Sequence, residues 1–74
     1  MRRVYRVVPY EDIYSARIFD NDLRHRFGNA NVTWKVEDEE YNVWYVDVTS
    51  ASDSDMSWIL RHNDIKNVLS LPVQ

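Results

Sequence analysis

Acidic side chains and two histidines are the residues of this chain that could perform acid–base or metal chemistry. The sequence has 12 Asp and Glu residues, two His and no Cys. His25 and His62 have no third ligand at a metal-like spacing, whereas zinc sites need three or four ligands. Asp53 and Asp55 could form a carboxylate pair, but negative charge at the start of a helix explains them better. We therefore predict no metal site.

Nucleophilic chemistry is also poorly supported by the sequence. Four serines lie close together, at Ser50, Ser52, Ser54 and Ser57. None of them lies in a strained strand-to-helix turn, and there is no glycine-rich loop for a phosphate group. We predict a protein without catalysis and without a cofactor.

A run of acidic residues is the strongest local concentration of charge. It comprises Glu37, Asp38, Glu39 and Glu40. A solvated hairpin tip that discourages edge-to-edge association is the simplest explanation. The run lacks the ligand spacing of a calcium loop. As a functional element it would dock onto a basic partner.

The charges are unevenly distributed along the chain. Residues 1–30 have a balance of +2 and residues 31–74 a balance of −5. Two basic clusters lie in the first part, at Arg2, Arg3, Arg6 and at Arg24, His25, Arg26. The second cluster is expected in the last turn of a helix, where cations oppose the helix dipole. Nucleic acid is therefore a less favoured partner. The chain has no run of about 18 apolar residues, so we expect no membrane span.

A period-two alternation identifies the central hairpin. Apolar residues alternate with polar ones on both sides of the acidic run, at Val32, Trp34, Val36 and at Trp44, Val46, Val48. Both sets face one side only if the loop has an odd number of residues. A three-residue loop, 38–40, would place Trp34 opposite Trp44. A five-residue loop, 38–42, would use Asn42 as the residue that tolerates a positive φ.

The first strand and the first helix precede this hairpin. Residues 3–8 are predicted as a strand with Tyr5 and Val7 facing inward, and Pro9 ends that strand and can occupy the first turn of a helix. The helix is predicted over residues 10–27 and closes at Gly28. Its inner arc contains Ile13, Ala16, Leu23 and Phe27, with Phe19 at the edge. Asp20 falls inside this arc, so either the helix restarts there or Asp20 finds a donor at the sheet edge.

A second helix and a last strand complete the predicted order. Ser52 and Asp55 resemble a capping box at the start of a helix over residues 53–62. Its inward residues are predicted to be Met56, Ile59 and Leu60. Residues 65–73 are predicted as an edge strand because of Pro72. The order β-α-β-β-α-β resembles the ferredoxin-like arrangement. We therefore predict a single α+β domain over residues 1–74, a two-layer sandwich. Its four antiparallel strands would lie in the order 4-1-3-2, with both helices on one face.

The sheet face away from the helices is one candidate contact surface. It is expected to carry Val4, Arg6 and Val8 from the first strand and Val43, Tyr45 and Asp47 from the third. An aromatic residue and an arginine on central strands suggest single-stranded RNA binding. Asp47 would repel phosphate, and glycine and basic residues are missing from the third strand. Alternatively, Arg6 pairs with Asp47, and the apolar residues support a homodimer or bind a protein.

The outer face of the first helix is the second candidate surface. Tyr10, Tyr14 and Ile18 are spaced four residues apart and point roughly 160° from the inner arc. Tyrosines are favoured interface anchors. Alternatively, the two tyrosines pack sideways against the second helix on Trp58. We predict a small, non-catalytic, intracellular module of the adaptor or inhibitor type, located in the cytoplasm. Its partner would be a protein that docks on a tyrosine-bearing surface.

Overall fold

The predicted order of elements is present in the computed structural model, which describes residues 2–10 and 13–71. The elements are β1 (Arg3–Pro9), α1 (Ile13–Phe27), β2 (Val32–Asp38), β3 (Val43–Val48), α2 (Asp53–Leu60) and β4 (Ile65–Leu71). A short 3-10 turn, Asn29–Asn31, joins α1 to β2. The described residues thus form an α+β fold with one four-stranded antiparallel sheet and two helices.

The strands of the sheet lie in the order β2-β3-β1-β4, and each neighbouring pair is antiparallel. Starting from β4, this is the predicted order 4-1-3-2. β1 and β3 are central, whereas β2 and β4 are edges. Residues 72–74, which include Pro72 and the predicted end of the last strand, lie outside the described residues.

The hairpin register decides between the two loops that the sequence allowed. Trp34 pairs with Val46, and Trp44 pairs with Val36, so the two tryptophans are not directly opposite. This is the register of the five-residue loop, and the three-residue alternative is wrong. A bulge between Val36 and Asp38 brings Asp38 opposite Val43. The connection between the strand ends is therefore one residue shorter than predicted.

Two side chains shape the hairpin turn. Asn42 has φ 56°, which confirms it as the residue that accepts a positive φ. Its Oδ1 accepts the indole N–H of Trp44 at 2.7 Å. Asp38 Oδ1 accepts the backbone N–H groups of Glu40 and Tyr41, at 3.0 and 3.3 Å. Asp and Asn side chains commonly stabilise turns in this way.

One hydrophobic cluster lies between the helices and the sheet. Its buried members are Tyr5, Val7, Phe19, Leu23, Val32, Val46, Val48, Ala51, Ile59 and Ile65. Residues from α1 and α2 pack here against the same set of strand residues. Trp34 and Trp44 are partly buried against this cluster. Their ring centroids are 5.6 Å apart, and Trp34 is 5.9 Å from Phe19.

The first helix differs from its prediction at its start and at Asp20. Tyr10 lies outside the helix, and Pro9 is the last residue of β1 and not part of a helical turn. The helix is continuous from Ile13 to Phe27 and does not restart at Asp20. Asp20 Oδ1 accepts from Nε of Arg24, one turn later, at 2.9 Å. The acid is therefore satisfied within the helix and needs no donor at the sheet edge. Phe19, which was expected at the margin of the inner arc, is fully buried.

Gly28 ends α1 as predicted. Its φ is +92°, a value that residues with a Cβ rarely adopt. A Cβ at this position would lie 3.5 Å from Nδ2 of Asn31, an ordinary contact, so the backbone angle and not space favours glycine. Asn31 Nδ2 also donates to the carbonyl of Phe27 at 2.7 Å, which satisfies one of the last helical carbonyls.

The second helix begins where it was predicted to begin but ends earlier than predicted. Ser52 and Asp55 form the predicted capping box. The helix ends at Leu60, two residues before the predicted end. Ile59 is fully buried and Met56 packs against the core, but Leu60 is 43% exposed. Because Ile59 faces the core, the next residue around the helix, Leu60, is turned toward solvent, and its predicted inward orientation is wrong. Neither described helix is long and apolar enough to cross a bilayer.

Candidate functional site

The outer face of α1 exposes large side chains as predicted. Tyr14 is 67% exposed and Ile18 is 45% exposed. Phe19 and Leu23 anchor the other side of the helix in the core, and this orientation directs Tyr14 and Ile18 outward. Tyr10 is 46% exposed just before the helix, and its backbone N–H donates to the carbonyl of Asp64 at 3.4 Å. We refer to Tyr10, Tyr14 and Ile18 as the α1 surface.

Trp58 of α2 does not cover this surface. The Arg26 guanidinium lies 4.7 Å from the centroid of its ring. The rings of His62 and Trp58 pack edge-to-face, with their centroids 5.3 Å apart. The alternative in which Tyr14 packs on Trp58 is therefore wrong, because α1 presents Arg26 and not Tyr14 to α2.

The open face of the sheet contains a connected polar network. Glu37 accepts a hydrogen bond from Nε of Arg6 at 2.8 Å and another from the hydroxyl of Tyr45 at 2.9 Å. The network connects β2, β3 and β1. The hydrogen bond to the Glu37 carboxylate raises the pKa of Tyr45, because it favours the protonated hydroxyl. Arg6 and Tyr45 are thus occupied by an intramolecular partner.

Asp47 on the same face pairs with a different arginine than proposed. Both carboxylate oxygens of Asp47 accept from Nε of Arg2, at 2.8 and 3.1 Å. The alternative pairing of Arg6 with Asp47 is therefore wrong. In the register, Asp47 lies opposite Val4, two pairs away from Arg6 opposite Tyr45. Glu37 reaches Arg6 from the edge strand.

Apolar residues occupy the other half of this face. β4 places Leu69 opposite Arg6 and Leu71 opposite Val4, beside the partly buried Val8. Leu69 is 56% exposed. Val43 also belongs to this face, but it is only 5% exposed and lies outside the core cluster. Val43 thus provides little accessible contact surface.

The four acids of the acidic run differ in whether their carboxylates have a partner within the described residues. Glu37 belongs to the sheet network and Asp38 holds the turn, so these two acids support the fold. The carboxylates of Glu39 and Glu40 have no partner among the described residues. Tyr41 follows them and is 67% exposed. Tyr41 was not among the contact residues predicted from the sequence, although an aromatic residue directly after an acidic run is a visible signal.

A polar cluster between the helices, centred on His62, was not predicted from the sequence. His62 Nδ1 accepts the backbone N–H of Asp64 at 3.2 Å. In the neutral ring, Nε2 therefore carries the proton and donates to Asp22 Oδ2 at 2.8 Å. The ring packs edge-to-face on Phe19 and on Trp58, with centroids 4.9 and 5.3 Å away. The 40-residue separation between Asp22 and His62 left no local pattern to find.

Asp53 and Asp55, the candidate carboxylate pair, are both used at the start of α2. Asp53 forms an ion pair with Arg3. Asp55 accepts from the backbone of Ser52, and it also accepts from Nε of Arg26 at 2.8 Å. These hydrogen bonds, the one from the Ser52 backbone first, lower the pKa of Asp55. The arrangement stabilises a helix terminus.

The described residues contain no group of three or more potential metal ligands. His25 is exposed in the last turn of α1, far along the chain from the His62 cluster. No family model, curated protein or solved structure matches this chain.

Proposed function

We propose that this protein is a non-catalytic interaction module that docks on another protein through the α1 surface. The observation that carries the proposal is the exposure of Tyr14 and Ile18, one turn apart on a helix that Phe19 and Leu23 anchor in the core from its other side. The hydroxyl of Tyr14 has no hydrogen bond to any described residue. A tyrosine side chain offers a large, rigid contact area, and interface hot spots are enriched in tyrosine.

A partner would gain from this surface in two ways. Burying exposed apolar area contributes roughly 25 cal/mol per Å², and the Tyr14 ring and the Ile18 side chain both supply such area. The helix is already folded and anchored, so little backbone order has to be gained on binding. A small domain that presents a rigid helix face fits the adaptor or protein-inhibitor class. An intracellular location fits the absence of cysteine, and cell fractionation would test it.

RNA binding on the open sheet face receives less support. A stacking platform needs an accessible ring and an arginine that can meet phosphate. Glu37 holds both Arg6 and Tyr45, and Asp47 places a second acid on that face.

The test is an affinity measurement on an identified partner. Proteins retained from the native host are identified, and the purified partner is then titrated with four forms of the full chain. These are the unmodified protein and the variants Tyr14→Ala, Ile18→Ala and Leu60→Ala. Leu60 is the matched control, because it is exposed on a helix to almost the same extent as Ile18, 43% against 45%. We expect Tyr14→Ala to weaken binding about tenfold or more, as hot-spot truncations do. Unchanged affinity for Tyr14→Ala and Ile18→Ala would refute the proposal.

A second candidate is a homodimer through the open sheet face. The observation that favours it is Leu69, which is 56% exposed beside Val4, Val8 and Leu71. Sizing the protein at two concentrations, with Leu69→Lys as the disrupting variant, tests this candidate. A concentration-independent monomer would exclude it.

The connectivity also supports the ferredoxin-like arrangement for this sheet. The order β-α-β-β-α-β, with β1 and β3 in the centre, is the split βαβ pattern. An experimental structure that preserved this strand order with both helices on one face would establish the assignment. The fold by itself would not indicate a function, because many unrelated functions share it.

A further inference from the structure

An apolar groove runs along the hairpin end of the molecule. Val8 and Pro9 of β1 line one part of it, and Ala16 of α1 and Trp44 of β3 line another. A second depression shares Ala16 and Trp44 and continues along α1 to Trp34, where Arg17, Asp20 and Arg24 also line it. The indole rings of Trp34 and Trp44 are therefore part of a surface that remains accessible beside the helix.

The rim of this groove carries the uncompensated acidic charge of the described chain. Glu39, Glu40 and Tyr41 belong to its lining. Every other acidic side chain that the structure describes has a hydrogen bond or ion pair to another described residue. Those acids hold arginines, a histidine or backbone N–H groups. Glu39 and Glu40 alone among them are left to interact with something outside the described chain.

Charges of opposite sign line different parts of the groove. Lys66 of β4 lines the same groove and has no ion pair with a described residue. A cation in the groove is therefore attracted to Glu39 and Glu40 and repelled from the Lys66 side. Tyr41, 67% exposed beside the two acids, offers an aromatic face. A guanidinium or ammonium group is attracted to such a face.

We propose that this groove binds a basic segment of the protein partner, with arginine or lysine at the Glu39–Glu40 rim and an aliphatic side chain over Ala16 and Trp44. The proposal rests on the proposed function in one respect, namely that the partner is a protein. It adds a second surface, separate from Tyr14 and Ile18, and it specifies the chemistry of what binds there. Neither the carboxylates nor the apolar floor alone would select such a segment, because the first would accept any cation and the second any apolar group.

The experiment uses three synthetic ten-residue peptides as probes of the ¹⁵N-labelled full chain. One alternates arginine and leucine, the second alternates glutamate and leucine, and the third alternates arginine and serine. We expect saturable binding of the arginine–leucine peptide, with chemical-shift changes centred on residues 39–43 and the Trp44 indole N–H. The other two peptides should bind at least several-fold more weakly, since each lacks one of the two required features. Added salt should weaken the arginine–leucine complex, because both acids are exposed.

Two double variants then distinguish the effect of the Glu39 and Glu40 charges from the effect of net charge. Glu39→Gln combined with Glu40→Gln should weaken the arginine–leucine peptide by about fivefold, the effect expected for two exposed ion pairs. The control combines Asn21→Lys with Thr33→Lys, two exposed positions elsewhere, and produces the same change in net charge. It should leave the affinity within about twofold, because screening limits charge effects over longer distances.

Several outcomes would overturn the proposal. They are equal binding of the glutamate–leucine or arginine–serine peptide, shifts centred on another surface, or full affinity in the double Gln variant. The purified partner distinguishes this failure from failure of the proposed function. If Tyr14→Ala weakens the partner and the double Gln variant does not, the groove proposal is wrong and the interaction module stands. If the peptide results are as expected but the α1 variants bind the partner normally, the proposed use of the α1 surface is wrong.

Discussion

The corner where α1 meets α2 and the tip of the β2–β3 hairpin both combine aromatic rings with charged side chains. At the corner, Arg26 lies over Trp58 and binds Asp55, while His62 packs between Phe19 and Trp58 and binds Asp22. At the tip, Glu39, Glu40 and Tyr41 are exposed, and their side chains have no partner among the described residues.

The difference shows which charged side chains stabilise the fold through intramolecular contacts. A polar group that is buried must find its partner inside the molecule, because an unpaired buried group is costly. The His62 side chain is 8% exposed and makes hydrogen bonds through both ring nitrogens. An exposed carboxylate is solvated by water and needs no such partner, so the tip remains available for an outside ligand. Stability should therefore respond strongly to changes at the corner and weakly to changes at the tip.

The largest effect is expected for His62→Ala at the corner. The change removes a ring that contacts Phe19 and Trp58 together with two hydrogen bonds, and we expect a loss of about 2–3 kcal/mol in the free energy of unfolding. Urea denaturation measures the loss. Arg61→Ala, an exposed neighbour, should stay within about 0.5 kcal/mol. Equal stabilities of the two variants would show that the contacts of His62 at the corner do not stabilise the fold.

A smaller effect is expected for Ser52→Ala at the start of α2. Loss of an N-cap side chain costs about 1 kcal/mol. Ser50→Ala, at an exposed position two residues earlier, is the matched control and should change stability little.

The pH dependence of stability provides a second measurement on the same cap. The folded state lowers the pKa of Asp55, so its carboxylate contributes stability above its unfolded pKa, which is about 3.9. This contribution is lost as the pH falls through the lower folded pKa. The free energy of unfolding, measured between about pH 5 and pH 2, should therefore decrease less steeply with falling pH for Ser52→Ala than for the unmodified protein. Because the backbone N–H of residue 52 is kept in this variant, identical acid profiles would show that the Ser52 hydroxyl does not contribute to the lowered pKa of Asp55.

Disrupting the Glu37 network on the sheet should change the titration of Tyr45 more than the stability of the fold. Glu37→Gln removes the charge that favours the protonated Tyr45, so the pKa of Tyr45 should fall toward its ordinary value. Because the folded pKa is raised, the associated stability is present below the unfolded pKa of about 10 and is lost as the pH rises through the folded value. NMR of the Tyr45 ring against pH measures the shift. Glu40→Gln should leave that titration unchanged, and an equal shift in both variants would argue against the contact.

The smallest effect is expected at the hairpin tip itself. Glu39→Gln and Glu40→Gln remove neighbouring like charges that have no described partner. Each should change the free energy of unfolding by less than about 0.5 kcal/mol, with a slight gain as repulsion from the adjacent acids decreases. Urea denaturation at low ionic strength is the most sensitive measurement. A loss approaching that of His62→Ala would mean that the tip carries structural contacts.

Local patterns were enough to predict much of the scaffold. Alternation of apolar residues identified the hairpin, Gly28 marked the end of α1, and Ser52 with Asp55 marked the start of α2. These features depend on interactions between residues a few positions apart, which the sequence displays directly. The outward direction of Tyr14 and Ile18 followed from helical periodicity for the same reason.

Long-range pairing and exact lengths could not be obtained in this way. The sequence allowed two hairpin registers, and the bulge near Asp38 settled the contacts of Glu37 with Arg6 and Tyr45. Leu60 faces solvent, and His62, just after the end of α2, lies beside Asp22 of α1. Such partners meet only when separate elements pack.

The sequence by itself determined the element order, the inward side of β1 at Tyr5 and Val7 and the exposed face of α1, because periodicity and caps are encoded locally. Tertiary structure decided which charges are neutralised within the fold and which remain on the surface. That division depends on distances of a few ångströms between side chains far apart in the chain. It leaves Glu39, Glu40 and Tyr41 beside an apolar groove, a juxtaposition that no linear pattern predicts.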